Sequence, residues 1–436
     1  MTFISVQSTQ ASSSTNYYFA IPATHTPYSS DYLPRVLITT SSSSPVQTWL
    51  TTPEFEIYSE ITYTSPADIR LPVTARIPDE GWSNHTIVIQ TSSDDIAVHA
   101  FDNEYYGGSG FLVLPSIHLG TDYFIVCYVP YSASFPCFFT VSANGNETAV
   151  NILTNSGHGY NLSLKPHESY RFEGADFEDL TGTRVQSNHP VSVTSGVFTR
   201  VPEGVSSYEG LLVNLPPVNN WGKHFVLAPF LSKTCGYAYR VISGPQTTTI
   251  IISGNNDTIV IELTNGEFYE GDVTTDKMIT ITSNFPVLVV KYMKGFYACD
   301  DNYRGDPAMI VVASTDDYRS GSVTFPVFNT TDITNTKIHF INILTRCDDI
   351  HGFILDESVS IGTSNDWDQL STDDYSMCLL RGEVSTGVHR LANPIPTATF
   401  SVSVYMMCTD CTTAYAYQAG FNYKSKIFIL FMRHPT

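Results

Sequence analysis

Short stretches in which apolar and polar residues alternate recur along the whole chain, and Gly, Asn, Asp and Pro separate them. Two examples in which a turn sequence precedes valines spaced two positions apart are "SNHPVSV" at residues 187–193 and "SNFPVLVV" at residues 283–290. Alternation with a period of two places successive side chains on opposite faces of a β-strand, whereas Asn and Pro favour turns. No stretch of the sequence repeats apolar residues at a helical period over a long distance. The pattern therefore predicts an all-β protein built from short strands.

These two examples belong to a longer repeat. Each copy spans roughly a hundred residues and offers about six or seven strands, which is the size and content of an antiparallel β-sandwich. The order of the matching segments is the same in both copies, so we interpret them as two copies of one unit. The matching segments are 110–130 with 210–230, 136–153 with 237–253, and 170–177 with 268–273.

Two fainter copies flank this pair. Residues 86–100 align with residues 278–290, and residues 320–344 and 392–404 resemble the opening and closing strands of a unit. The sequence therefore predicts tandem antiparallel β-sandwich units, about four pseudo-repeats of roughly 100 residues each. The predicted unit boundaries are 17–105, 106–200, 205–298 and 318–424.

Composition agrees with a folded β protein and restricts the partners. Hydrophobic residues make up 42% of the 436 residues, and aromatic residues, which suit half-buried strands, make up 13%. The net charge of −20 repels phosphate backbones and anionic lipid head groups, so we expect no nucleic-acid partner and no membrane insertion. No apolar run reaches the roughly 18 residues of a membrane span, and the apolar tail at 426–432 is too short.

The cysteines favour an extracellular setting. They are even in number and lie among predicted strands and turns, as in disulfide-bearing secreted proteins. Residues 1–19 lack the basic segment and the apolar run of a signal peptide, so we expect a signal peptide upstream of Met1. A cytosolic protein with free thiols is the alternative. The eight disulfide candidates are Cys127, Cys137, Cys235, Cys299, Cys347, Cys378, Cys408 and Cys411.

Cysteine pairing is open, because eight cysteines allow 105 connectivities. Cys127 and Cys137 flank a predicted hairpin and could pair across it. Neighbourhood in the chain suggests two further pairs, Cys235 with Cys299 and Cys347 with Cys378.

Five N-x-Ser/Thr sequons mark candidate glycosylation sites of an extracellular glycoprotein. The chain is so rich in Asn, Ser and Thr that about this many sequons arise by chance, so they do not argue for secretion by themselves. The candidate asparagines are Asn84, Asn146, Asn161, Asn256 and Asn329.

Five phrases in order resemble one known family. Together they resemble the N-terminal domain of the IgGFc-binding protein family, over about Tyr17 to Tyr423. The resemblance implies an extracellular, non-enzymatic binding or adhesion region. In larger relatives this region precedes mucin-type and von Willebrand factor type D modules, and no such Cys-dense module occurs here. The phrases are "LPPVNNWGKHFVLAPF", "YAYRVIS", "TSNFPVLVVKY", "GDPAMIVV" and "AYAYQAGFNY".

One tripeptide could carry recognition. Arg304, Gly305 and Asp306 form an RGD sequence in the polar connection after the third predicted unit, where an exposed loop could meet an integrin-type receptor. Asp300 and Asp301 precede it, but their spacing is not that of an EF-hand calcium loop. We therefore interpret the acidic residues as a solvated loop.

Motifs for catalysis and metal binding find little support. The C-x-x-C at Cys408 and Cys411 has no second ligand pair of zinc-site spacing, and it follows a strand rather than leading a helix. No G-x-S-x-G or H-E-x-x-H motif occurs. Adjacent acidic pairs such as Glu178 and Asp179 would point to opposite faces of a strand, which does not suit glycosidase chemistry. Trp221 invites carbohydrate stacking, but we interpret it as a core residue. We predict no catalytic residue, no metal and no cofactor.

The sequence thus favours an extracellular, non-enzymatic binding or cell-adhesion module for protein or glycan surfaces, in a context such as mucus or matrix. One alternative is a carbohydrate-active hydrolase on a β scaffold, which would need two carboxylates in one cleft. Another is a structural spacer of a larger secreted protein, which would have no ligand.

Overall fold

The computed structural model describes the chain from residue 15 to residue 422 with internal gaps. Every long element in it is a strand, interrupted only by short 3-10 turns, so the all-β prediction is confirmed. Within the described part, none of the helical segments has the length and hydropathy of a membrane span. The described residues are 15–24, 32–104, 107–231, 235–254, 257–295, 298, 305–328, 337–357, 359–362, 366–371, 376–408 and 413–422.

The strands are labelled in chain order. They are β1 Thr15–Phe19, β2 Ile21–Pro22, β3 Arg35–Thr40, β4 Val46–Thr51, β5 Glu56–Ile61, β6 Ala67–Arg70, β7 Arg76–Ile77, β8 Gly81–Ser83, β9 Ile87–Thr91, β10 Ile96–Glu104, β11 Gly107–Val113, β12 Gly120–Phe124, β13 Phe138–Ala143, β14 Thr148–Leu153, β15 Gly159–Leu164, β16 Ser169–Glu173, β17 Arg184–Thr199, β18 Glu209–Asn214, β19 Gly222–Leu227, β20 Tyr237–Ser243, β21 Thr248–Gly254, β22 Asp257–Leu263, β23 Phe268–Val273, β24 Ile279–Met293, β25 Ala308–Val311, β26 Arg319–Ser320, β27 Ser322–Val327, β28 Lys337–Arg346, β29 Ile354–Leu355, β30 Val359–Ser360, β31 Asp368–Ser371, β32 Ser376–Val384, β33 Gly387–Ala392, β34 Thr399–Cys408 and β35 Tyr415–Gln418. The 3-10 turns are Val73–Ala75, Ser116–His118, Val218–Asn220, Thr315–Asp317 and Cys347–Asp349.

Two regions of the chain share one pairing scheme. The long strand β17 pairs with β12, β13, β14 and β18, and the long strand β24 pairs in the same way with β19, β20, β21 and β25. The repeated phrases lie in these two long strands. Val191 and Val193 of one, and Val287 and Val289 of the other, are fully buried. All residues from 191 to 199 in β17 and from 287 to 293 in β24 are buried, so the valines of the two phrases lie where both faces of each long strand are covered.

The same scheme recurs in part near both ends of the chain. At the N-terminal end, β9 and β10 together take the place of the long strand, because β9 pairs with β1 and β4 while β10 pairs with β3 and β11. Near the C-terminal end, β34 pairs with β26, β28 and β35. The four unit boundaries given above stay a prediction.

Four strands meet at the middle of the molecule, and we call them the central ring: β11, β18, β25 and β35. Each contacts the next, and β35 returns to contact β11. Their side chains enclose a narrow cavity lined by residues such as Leu112, Val213, Val311 and Tyr417. The last part of the chain therefore lies beside the first.

Close packing between turns and strands accompanies the central ring. Gly120, at the start of β12, lies so near Pro217 that an added Cβ would collide with that ring. Gly222, at the start of β19, lies equally near Ser314. Asn220 Nδ2 donates a 2.7 Å hydrogen bond to the backbone oxygen of His118. The glycine that follows each of these turns in the repeat is thus required by the approach of the next turn.

Candidate binding site

The outward face of one N-terminal sheet forms the floor of an open cleft. This sheet has the strand order β1, β9, β4 and β5. Its registers place Tyr18 opposite Val88 and Val88 opposite Thr51, so these three side chains form one row across the sheet. Gln90 lies two residues along β9 on the same face and also lines the cleft.

The next row on the same face is richer in aromatic residues. The registers place Asn16 opposite Gln90, Gln90 opposite Trp49, and Trp49 opposite Tyr58. The Trp49 and Tyr58 ring centroids lie 5.5 Å apart, and Tyr58 is 53% exposed. The opposite face of the sheet is part of the hydrophobic core, so the strand period places these polar and aromatic side chains toward solvent.

Two turns of the following sheet form the wall of the cleft. One is Asn144–Asn146 between β13 and β14, and the other contains His167 between β15 and β16. Gly145 and His167 both have a positive φ, of 100° and 61°. The His167 ring stacks on the Tyr18 ring, with centroids 5.6 Å apart and an interplanar angle of 17°. This stack joins the wall to the floor.

The rim is completed by Thr52, Pro53, Asn84 and Thr86, and the space enclosed is about 1100 Å³, including its opening to solvent. None of the lining residues is Asp, Glu, Lys or Arg, although the chain carries a net charge of −20. The cleft therefore presents amides, hydroxyls and aromatic faces, and no carboxylate, ammonium or guanidinium group.

Two groups in the cleft have defined hydrogen-bonding states. Burial raises the pKa of Tyr18, so its hydroxyl remains protonated and can donate a hydrogen bond at neutral pH. Asn144 Oδ1 is buried and accepts no hydrogen bond from the described residues. A buried amide oxygen without a donor costs roughly 1–3 kcal/mol, so this atom favours an added donor.

A second exposed aromatic group lies outside the cleft. Trp82 of β8 is 60% exposed, and its ring packs edge-on against the Tyr170 ring with the centroids 4.8 Å apart. Its Nε1 donates a 3.2 Å hydrogen bond to the backbone oxygen of Ser163. The ring is therefore held at the surface, and it is not a lining residue of the cleft.

The candidate glycosylation asparagines fall into three groups. Asn84 and Asn146 are exposed and both stand at the cleft, one on the rim and one on the wall. Asn161 is exposed on β15, and its Oδ1 accepts a 2.9 Å hydrogen bond from Asn151. The last two, Asn256 and Asn329, lie outside the described residues.

The cysteines are placed as follows. One disulfide joins Cys127 to Cys137, and another joins Cys347 to Cys378. Cys235 is also disulfide-bonded. Cys408 ends β34, while Cys299 and Cys411 lie outside the described residues. Within the described part, no group of three His, Cys, Asp or Glu side chains could hold a metal ion.

The described part of the RGD tripeptide is buried. Asp306 is only 1% exposed and Gly305 is also buried, whereas Arg304 lies outside the described residues. Burial raises the pKa of the Glu209 carboxyl well above its ordinary value, and the nearby Asp306 carboxylate adds to the rise. The expectation of an exposed, solvated loop is therefore wrong for Gly305 and Asp306, because both lie in the interior and the Asp306 carboxylate is near Glu209.

Two other residues singled out in the sequence are structural. Trp221 is buried, and its Nε1 donates a 3.0 Å hydrogen bond to the backbone oxygen of Pro216. Asp179 forms an ion pair with Arg240 across the boundary between the two middle regions. Neither residue lines the cleft.

The sequence did not point to Tyr18 and His167, which are 149 positions apart and come together only in the folded chain. The one local signal is the phrase "TNYYF" at β1, where Tyr18 alternates with the buried Tyr17 and Phe19. Alternation identifies an outward tyrosine, but it does not identify what faces it.

Comparison with known proteins adds a family assignment. The model of the family described as IgGFc binding protein matches residues 109–406, more than half of the chain. A search of curated proteins with this chain found no match. Among solved structures, a tetra-tandem repeat from the extending region of a large adhesion protein is 9% identical over 93% of this chain and 98% of that chain, with a TM-score of 0.11. A Ca²⁺-stabilised adhesin that helps an Antarctic bacterium bind ice is 8% identical over 93% and 98%, with a TM-score of 0.12. Both TM-scores are too low to indicate a shared arrangement.

Proposed function

The chain belongs to the IgGFc binding protein family, and on this premise we propose that it is an extracellular, non-enzymatic binding or adhesion module for protein or glycan surfaces. Family membership supports a binding role in general. The uncharged cleft between the N-terminal sheet and the turns of the next sheet is the observation that carries the proposal. Clefts that combine aromatic faces with a few fixed polar groups are typical of ligand sites.

The cleft has the rigidity that a binding site needs. Its floor is a four-stranded sheet, and its wall is fixed to that floor by the stack of His167 on Tyr18. A site supported by strands loses less conformational entropy on binding than a site on free loops. The cleft is therefore suited to recognition without a large rearrangement.

The strands of the central ring contact one another in a closed circle, and this favours a binding role over that of a spacer. A string of units that serves only to extend a larger protein needs no contacts other than those between consecutive units. Here β35 contacts β11, and Thr39 Oγ1 of β3 donates a 3.4 Å hydrogen bond to the backbone oxygen of Thr324 in β27. Such closure holds the N-terminal and C-terminal regions of the described chain together instead of extending them.

A hydrolase role is less well supported by the cleft. Glycoside hydrolysis generally requires a pair of carboxylates on either side of the scissile bond. The residues that line this cleft include no Asp or Glu. The cleft therefore offers groups that can hold a saccharide or peptide, but no acid and base to cleave it.

Binding of the whole chain to immobilised glycoproteins tests the proposal. The purified chain should bind mucin-type and matrix glycoproteins saturably, and the Fc fragment of IgG belongs among the probes because of the family's name. Bovine serum albumin, an unglycosylated acidic protein, is the control surface. Absence of saturable binding to every glycoprotein and protein surface would contradict the proposed function.

Peptide mapping of the natively produced protein tests the setting. Disulfides between the paired cysteines together with occupied sequons are expected for a secreted glycoprotein. Free thiols and unmodified asparagines in the native protein would contradict an extracellular location.

A further inference from the structure

We propose that the cleft beside Tyr18 and His167 binds an uncharged saccharide, about one to three sugar rings long. The inference rests on the proposed binding function and narrows it to one ligand class and one place. It depends on four properties of the cleft: its aromatic faces, its polar groups, its lack of formal charge and its rigid wall.

The aromatic faces match the C–H face of a sugar ring. The negative faces of aromatic rings attract the weakly positive C–H groups that one side of a pyranose presents. The stacked Tyr18 and His167 rings provide one such surface at the junction of floor and wall. Trp49 and Tyr58 continue the same sheet face beyond Gln90, so a second ring of an oligosaccharide would meet another aromatic pair.

The polar groups match sugar hydroxyls and acetamido groups. Gln90, Asn84 and Asn146 carry amides, each with donors and an acceptor, and Thr51 adds a hydroxyl.

The absence of formal charge decides between classes of saccharide. An acidic sugar would need a cation to compensate its carboxylate, and Arg is the residue that does this best. No Lys or Arg lines the cleft, and the chain as a whole is strongly acidic. A sialylated or uronic-acid ligand would therefore be repelled, whereas a neutral hexose or N-acetylhexosamine would not.

The backbone and the neighbours of His167 restrict the position of its ring in the wall. His167 adopts a left-handed backbone conformation, and a Cβ added at Gly145 would lie 3.3 Å from its imidazole. The ring is thus confined between Gly145 and Tyr18. Non-glycine residues in this conformation are uncommon and occur often at ligand sites.

A neutral saccharide can reach the cleft from two sources. Asn84 and Asn146 are both sequon asparagines at the cleft, so an N-linked glycan on either would bring a neutral N-acetylhexosamine to the same place. The saccharide is then either an external glycan or the chain's own. The experiment must separate these two cases.

The test uses the full chain secreted into the periplasm of a bacterium without N-glycosylation, which allows disulfides and leaves both asparagines unmodified. Enzymatic removal of glycans by amide cleavage is unsuitable because it converts Asn to Asp and adds charge to the cleft. Saturation-transfer NMR is recorded with chitobiose, N-acetyl-lactosamine and lactose, and with sialyl-lactose as the charged counterpart. We expect transfer to at least one neutral saccharide and none to sialyl-lactose.

Matched variants locate the binding. Tyr18→Ala and His167→Asn each remove one ring of the stack, and Asn tolerates the left-handed backbone of position 167. Each should weaken binding about tenfold, whereas Tyr18→Phe should retain it within about threefold. Trp82→Ala removes an exposed aromatic outside the cleft and should leave the affinity unchanged. Thermal unfolding of each variant reports whether it is folded.

The outcomes are distinguishable. No transfer to any neutral saccharide, or equal affinity in folded Tyr18→Ala and wild type, overturns the proposal. If such variants still bind glycoprotein surfaces, the cleft assignment fails while the general binding function stands. In chain made by eukaryotic secretion, occupied Asn84 or Asn146 together with loss of added-saccharide binding assigns the saccharide to the chain's own glycan. Retained binding assigns it to an external one.

Discussion

Phe101 of β10 meets Tyr417 of β35 edge-on, with ring centroids 5.7 Å apart, although 316 positions separate the two residues in the chain (417 − 101). The ring centroids of Phe101 and Phe328 also lie 3.9 Å apart, and the Phe101 ring is buried. This contact joins the first and last parts of the chain. The closure of the central ring therefore has a hydrophobic anchor, and it can be tested by removing that anchor.

We expect Phe101→Ala to lower the free energy of unfolding by about 3–5 kcal/mol, because it leaves a cavity at a fully buried aromatic site. Denaturant unfolding followed by tyrosine and tryptophan fluorescence measures the change. Tyr58→Ala, which removes an aromatic ring that is 53% exposed, is the control and should change stability far less. A loss below about 1 kcal/mol for Phe101→Ala would show that the two parts close without this contact.

Removal of the first part of the chain should destabilise the last part. A fragment of residues 120–422 lacks β11, which lies between β18 and β35 in the central ring. We expect its β34 and β35 amides to exchange faster with solvent than in the whole chain, because β35 loses one neighbour. Unchanged hydrogen exchange in β35 would show that the regions behave as independent units on a string.

Arg240 should be a strong determinant of stability between the two middle regions. It is buried, forms ion pairs with Asp179 and Glu270, and donates a 2.9 Å hydrogen bond to the backbone oxygen of Cys127. Arg240→Met leaves Asp179 without its cation, so we expect a loss of about 3–5 kcal/mol in the free energy of unfolding.

Arg381 provides the comparison for Arg240. It also forms two ion pairs, with Asp276 and Asp368, but these carboxylates are exposed. Arg381→Met should cost about 1 kcal/mol or less, because solvent screens exposed pairs. Equal losses for the two variants in urea titrations would contradict the role assigned to burial.

His99 should make the protein sensitive to acid. Burial lowers the pKa of His99 from its ordinary 6.5 to about 3, and its ring packs against Tyr417 at 4.7 Å. Between these two pKa values the unfolded chain binds a proton that the folded chain does not, so this residue lowers stability as pH falls below about 6.5. The slope is at most about 1.4 kcal/mol per pH unit.

The variant His99→Leu isolates this contribution. Its free energy of unfolding should fall less between pH 7 and pH 4 than that of the wild type, measured in urea at each pH. The comparison with His99→Leu is needed because Glu209 acts in the opposite direction. Its pKa is raised in the folded state, so the folded state gains stability as the pH falls below the pKa that Glu209 has in the folded protein. Parallel pH profiles for wild type and His99→Leu would show that His99 does not titrate as assigned.

Much of the local structure could be predicted because it depends on neighbours in sequence. The valines of "SNHPVSV" and "SNFPVLVV" mark core positions of β17 and β24, and a period of two is a property of the strand itself. The RGD loop shows where local reasoning fails. A polar tripeptide suggests exposure, but Asp306 is buried beside Glu209, which comes from a strand almost a hundred positions earlier.

The sequence by itself determined the class of fold, the repeated strands and the family, since each is written in short-range periodicity and in phrases that can be compared directly. Only the tertiary structure decided that β35 returns to β11, and that His167 stacks on Tyr18 over an uncharged cleft. Such contacts depend on the curvature of each sheet and on the angle at which successive sheets pack. Those angles are the sum of many small twists along the chain, and no residue spacing records the sum.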